Sequence, residues 1–321
     1  MTIELFTEQV RKLVQEKLGK GYQVVKRQVL KNNGVHQWGI EIRQKTERVV
    51  PVVYMESYYA EFQRSEERKE YLEPLAVKLI EQVQTPNLET EMIQNAKTCL
   101  LDRNWTKEHL VYRLLNRKHN AELLKDIPYR GFHNLAIIYC VLAGESQNGI
   151  CSYVMHREQM ERLGFDEETL FKAAQENTRK FFPAQFAPLF EVIKQTAMEM
   201  GEDLSEVFGK EMLDEEVGKP MYVLSNTSKC YGAAVLLYPG ILENIAQSLQ
   251  SDLVILPSSC HEVLILPYDE GDSIAGLTEM VCAVNRECVA PTEVLSDSVY
   301  LYQRADEALV MVGEAELERT K

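Results

Sequence analysis

Apolar residues at Ile3, Phe6, Val10, Leu13, Val14 and Leu18 recur at about 3.6-residue spacing and predict a helix that Gly19 and Gly21 stop. From residue 22 to 30 the pattern changes to β-branched and aromatic side chains. Asn33-Gly34 then marks a hairpin, because a type I′ turn needs positive φ at both central positions. The return strand alternates, with Trp38, Ile40 and Ile42 on one face and Gln37, Glu41 and Arg43 on the other. Residues 49–55 predict a third strand whose Pro51 suits an edge or a strand start. Leu72, Leu75, Leu79 and Val83 form the stripe of a second helix, which Thr85-Pro86-Asn87 ends.

The middle of the chain reads as mainly helical. Val111, Leu114 and Leu115 suit one helix, and Ala121, Leu123 and Leu124 a short piece ending before Pro128. Residues 135–142 are a continuous apolar run fit for a buried strand, turned at 144–149 into a partner over 150–155. A helix near 157–163 stops at Gly164. Asp166 can cap a longer one carrying Leu170, Phe171, Ala174, Thr178 and Phe181, which Pro183 terminates. Residues 186–200 read as helix, and 201–218 as an acidic connector.

In the last third, 221–224 and 233–238 predict strands, and Pro239 precedes a helix through Ile241, Leu242, Ile245 and Leu249. Strands over 252–256 and 262–267 flank a turn. Ser273 can cap a helix with Ile274, Leu277, Val281, Val284 and Cys288 inward, and strands over 299–303 and 308–312 follow. The pattern predicts an α+β fold, antiparallel or mixed sheets with helices packed on one side, modular but integrated. Three regions are expected: 1–86, a helix-hairpin-strand-helix module; 87–218, mainly helical with a strand pair near 135–155; and 219–321, an α+β module.

Composition narrows the function classes. The chain has 321 residues and a net charge of −14, without the clustered basic surface that duplex binding needs. The nearest approach is Arg113, Arg117, Lys118 and His119, with Lys125 and Arg130 beyond, which reads as a solvated face over a buried stripe. No apolar run is long enough to span a bilayer, and the first residues lack a signal-peptide pattern, so the cytoplasm is the expected compartment and no membrane is a partner. Seven cysteines at irregular spacing, several in apolar surroundings, argue for reduced core thiols rather than a disulfide framework.

The densest chemistry is Pro257-Ser258-Ser259-Cys260-His261-Glu262 between two strands. A hydroxyl or thiol needs a base within hydrogen-bond reach, and a third group to orient that base. In extended chain Cys260 and His261 point to opposite faces, whereas Ser259 with His261, or Cys260 with Glu262, share one. The bland alternative is a turn whose serines bond backbone. His261-Glu262 lacks the second histidine of H-E-x-x-H, and Cys282 and Cys288 lie about 240° apart around a helix, so no metal site is expected. Phosphate-binding glycine motifs are absent and no cofactor is expected. Tyr54, Tyr58 and Tyr59, and Phe181-Phe182, read as packing aromatics.

An ordered set of segments carries a resemblance. They are Asn33-Gly34 with Tyr58-Tyr59; Leu115-Asn116 and Asn120 through Leu124 to Pro128; Leu135-Ala136-Ile137-Ile138-Tyr139; Glu168, Leu170, Ala174, Asn177-Thr178 and Pro183; Gly232-Ala233; Pro257-Ser258-Ser259 with His261-Glu262; and Leu295-Ser296-Asp297 through Tyr300. Over nearly the whole chain the set resembles an uncharacterised family of bacterial proteins, a domain of unknown function frequent in gut Firmicutes and on their mobile elements. The middle and last thirds are similar to a second uncharacterised bacillar family. The resemblance implies no reaction. Two positions depart from it: Asn134 stands for an expected aspartate and Cys260 for an expected aliphatic residue, which demotes Cys260 as a nucleophile.

The resulting expectation is a binding or regulatory protein of the bacterial cytoplasm, a mobile-element accessory acting on a protein partner and leaning away from enzymes. A hydrolase-like site at Ser259, His261 and Glu262 is one alternative. Counter-defence by binding a nuclease or sensor is the other.

Overall fold

The computed structural model describes residues 1–44, 52–65, 68–84, 101–146, 149–201 and 219–313. Chain contacts divide it into two compact units, Met1–Cys99 and Leu100–Lys321.

In the first unit, Thr2 caps α1 (Ile3–Leu18), whose face of Phe6, Val10 and Val14 is fully buried. It packs on an antiparallel sheet of β1 (Tyr22–Leu30), β2 (His36–Gln44) and β3 (Val52–Tyr54). Between β1 and β2, Asn33 (φ 58°) and Gly34 (φ 71°) take the left-handed conformations that the hairpin pattern requires. The Val35 N–H donates to the Asn32 carbonyl at 3.3 Å to close the turn. Pro51 and the segment 85–87 lie outside the described residues. Tyr58 and Tyr59 belong to a helix the sequence pattern did not separate, α2 (Glu56–Arg64), where the Phe6 ring meets Tyr59 at 5.5 Å and Phe62 at 5.2 Å. Helix α3 (Arg68–Gln84) completes this core with Leu75 and Leu79.

The second unit opens with α4 (Arg103–Glu108), capped by Asp102, and β4 (Leu110–Asn116). Strand β4 is where Val111, Leu114 and Leu115 were expected in a helix. All its residues but Arg113 are buried, on both faces, so the apolar run shows no alternation to mark it as a strand. The short piece after it is a single 3₁₀ turn, Leu123–Lys125. Strand β6 (Leu135–Ser146) lies at the centre of a four-stranded sheet: β4 takes one edge, while β5 (Tyr129–Phe132) and β7 (Gly149–Val154) follow each other along the other. Helix α5 (Arg157–Arg162) precedes α6 (Glu167–Phe181), which Asp166 caps and which packs on β4.

The second sheet has six strands in the order β13-β12-β10-β11-β9-β8. They are β8 (Ala184–Pro188), β9 (Tyr222–Asn226), β10 (Leu253–Leu256), β11 (Val263–Pro267), β12 (Val299–Gln303) and β13 (Ala308–Gly313). Phe186, expected in a helix, thus lies in a strand, and α7 (Leu189–Met200) begins only after Pro188. Residues 233–238, expected as a strand, form a buried 3₁₀ segment (Gly232–Leu237) before α8 (Ile241–Leu249). One face of the sheet shares a core with β4, β6, α6 and α8; the other packs Val254, Leu256 and Leu266 against Val281 of α9 (Ile274–Glu287). Ser273 caps α9 as its sequence suggests, but Val284, expected inward, is 39% exposed and Cys288 is exposed too.

All strand pairings among the described residues are antiparallel, so the fold is α+β. No helix among them is long and apolar enough to cross a membrane.

Candidate functional site

The segment 257–262 joins β10 to its antiparallel neighbour β11 and is laced to the chain at 293–296. The Ser296 and Leu295 N–H groups donate to the carbonyls of Pro257 (3.0 Å) and Ser258 (2.9 Å), and the Cys260 N–H donates to the Glu293 carbonyl at 2.8 Å. Ser259 and Val294 form an isolated antiparallel bridge.

The three predicted site residues are neighbours in the turn, and the side chains of Ser259 and His261 hold backbone. Ser259 Oγ accepts the His261 N–H at 3.0 Å, and the Ser259 hydroxyl favours the charged form of the Glu262 carboxyl. His261 Nδ1 accepts the Tyr231 N–H at 3.3 Å, while its carbonyl accepts the Ser225 hydroxyl at 2.7 Å. Its Nε2 stands 3.7 Å from Glu293 Oε1. No hydrogen bond among the described residues joins the Ser259 hydroxyl to the His261 ring. Gly232 lets this packing close: a Cβ there would overlap Ser225 Oγ and the His261 carbonyl, and would sit 2.8 Å from the Asn226 nitrogen.

Burial sets the electrostatics of the segment. The Cys260 thiol is pushed up to about 12 by desolvation, with Glu293 and Cys230 adding to the effect, so it is a neutral core thiol at neutral pH. Desolvation also raises Glu262, against the opposing pull of His261 and the Ser259 hydrogen bond. Among the described residues no three His, Cys, Asp or Glu side chains gather to hold a metal ion.

Beside this turn lies a group that the sequence pattern placed on a solvated helical face. Arg113 is the one partly open position in β4 and projects from the face shared by Val111 and Leu115. Its guanidinium carbon stands 3.6 Å from the centre of the Tyr231 ring, and an Nη donates to the Ser152 hydroxyl. The Tyr231 and His261 rings are 5.5 Å apart, so guanidinium, phenol, imidazole and the Glu293 carboxylate follow one another. A shallow recess opens here, with enclosed room for about one water molecule, lined by Arg113, Tyr231, Cys230, Asn226, Ile150 and Phe182 among others. No carboxylate pairs with Arg113 among the described residues. Arg130, from the same stretch of basic residues, is bonded instead to Glu167 at both oxygens and to Glu168. The available signal for Arg113 was a single charge inside the otherwise apolar stretch from Leu110 to Leu115.

The chain matches a family of unknown function, DUF5688, over residues 3–304. It belongs to that family. No curated protein and no solved structure matches it. The family span takes in both units and the segments that carried the resemblance. Several of those segments meet in space: Asn116 Nδ2 donates to the Leu295 carbonyl at 3.1 Å, and Asn134 Nδ2 to the hydroxyls of Ser296 (3.0 Å) and Ser298 (2.9 Å). Asn134 also accepts the Tyr300 hydroxyl through Oδ1, so the amide at this departure from the expected aspartate uses both its donor and its acceptor ends.

Proposed function

We propose that the chain is a binding or regulatory protein acting on a protein partner, rather than an enzyme. The observation that carries this reading is the occupation of the 257–262 groups: Ser259 receives the His261 N–H, and His261 Nδ1 receives the Tyr231 N–H. A serine nucleophile would need its hydroxyl on the imidazole. A cytoplasmic, mobile-element accessory fits the bacterial family that the ordered segments resemble, as does the net charge of −14, which favours solubility and electrostatic choice of partner. Counter-defence by binding a nuclease or sensor at its basic surface is the more specific form of the same reading.

One observation favours a hydrolase at Ser259, His261 and Glu262. The His261 side chain keeps 26% of its surface exposed and has Glu293 at 3.7 Å as an orienting group. The two readings part in one experiment. Wild type and His261→Ala are assayed against ester, amide and phosphoester substrates, with circular dichroism to verify folding. The binding reading expects no turnover above blank in either protein. Turnover that vanishes in a folded His261→Ala variant overturns it in favour of the hydrolase.

A further inference from the structure

We infer that the recess beside Tyr231 is a binding site for a carboxylate group, with Arg113 as its anchor. Arg113 occupies a strand whose other six residues are buried, between Val111 and Leu115 of the same apolar cluster. Enclosing a guanidinium there is strongly unfavourable unless an anion and further acceptors compensate it. The fold supplies little of either. The Tyr231 face offers a cation–π contact, and the Ser152 hydroxyl accepts one of five N–H donors. Burial works against the Arg113 cation, and the groups that favour it electrostatically are Cys140, Tyr231, Cys230 and Cys260, of which burial raises Cys140 and Cys260 so that they stay neutral. In a chain with 49 acidic residues, no described one reaches this cation.

The chemistry of the recess selects the ligand. A planar fork of N–H donors matches the two oxygens of a carboxylate. Among the described residues Arg113 is the only cation lining the recess, and Ile150, Val111 and Phe182 supply apolar wall, so a monoanion is balanced where a phosphate dianion is not. The inference deepens the binding reading by naming a ligand chemistry, and the two fail separately. A chain that ignores carboxylates still stands as a protein binder, and turnover dependent on His261 leaves the Arg113 site intact.

The alternative role for Arg113 is a strut that holds β4 to Tyr231, and stability measurements separate the two. Thermal melts of the full chain are recorded in sodium acetate and in sodium chloride of equal ionic strength, for wild type, Arg113→Met and Arg113→Lys. The expected result is a saturable, acetate-specific rise in the wild-type midpoint. Arg113→Met should melt no lower than wild type without acetate, because an uncompensated charge has been replaced by apolar volume. It should show no acetate response, and Arg113→Lys, which lacks the fork, a reduced one. A wild type indifferent to acetate overturns the site, as does an equal response in Arg113→Met. A larger response to inorganic phosphate than to acetate overturns the carboxylate assignment. If Arg113→Met fails to fold, Arg113→Lys decides: an undiminished response overturns the site. A short peptide with a free C-terminus, set against its amide, shows whether a chain end or a small acid is the better carrier; a preference for either free acid supports the carboxylate.

Discussion

Glu262 sits in the 257–262 turn with its carboxyl raised by burial, although His261 and the Ser259 hydroxyl favour its charged form. Between the ordinary carboxylate value, ~4.3, and that raised value, the folded chain holds this proton more tightly than the unfolded chain. The group's contribution to stability therefore falls as pH rises through this window, and its penalty disappears below the unfolded value. Glu262→Gln keeps an acceptor for Ser259 and carries no charge. It is expected to raise the denaturant midpoint at neutral pH and to match wild type in acid. Urea titrations of both proteins across that window check this, since comparison at each pH cancels the other carboxylates. A variant less stable at neutral pH would instead mean that the ionised carboxylate holds the turn. The same segment shows why residue identity misled about chemistry. Ser259, Cys260, His261 and Glu262 have the composition of a catalytic cluster, but apart from the Ser259–His261 backbone bond their hydrogen bonds run to Tyr231, Ser225 and the Glu293 carbonyl, partners remote in sequence.

At the scale of elements, Gly232 begins the 3₁₀ segment docked against β9, and a side chain there would collide with Ser225 and the His261 carbonyl. Gly232→Ala is expected to cost about 2–4 kcal/mol, in the range of a core overlap in which the His261 carbonyl and the Asn226 nitrogen are backbone and cannot swing aside. Chemical denaturation measures the loss, and a cost below about 1 kcal/mol would show that the junction yields. Elements with a local signature were legible in the sequence. Helix α1 has its apolar stripe, the β1–β2 turn has Asn33-Gly34, and α6 and α9 have Asp166 and Ser273 at their caps. Two elements buried on every side were not, although the buried strands at 135–142 and 253–256 were. Strand β4 reads as helix because both its faces are apolar, and the 3₁₀ segment of Ala233, Ala234, Val235 and Leu236 reads as strand because it too is wholly buried. In each case tertiary packing, rather than periodicity, decides the backbone. The recess was hidden for the same reason: Arg113 was read on a solvated helical face because its strand was read as a helix.

At the scale of the molecule, the two units have separate cores. Phe6, Val10, Ile40 and Leu79 belong to a cluster confined to the first, and no member of it recurs in the clusters of the second. A chain comprising residues 100–321 is expected to fold alone and unfold in one cooperative step, seen as coincident near- and far-ultraviolet dichroism transitions. Loss of near-ultraviolet signal with helix content retained would show that the second core needs the first unit. The strand order of the second unit also bears on how it is made. Strand β10 sits between β11, which follows at once, and β12, which comes only after α9. During synthesis the ribosome releases Leu253, Val254 and Ile255 long before Tyr300, Leu301 and Tyr302, which will cover their free edge. Each growing chain thus passes through an interval in which one edge of a short apolar strand stands unpaired, the kind of edge that recruits chaperones or neighbouring nascent chains.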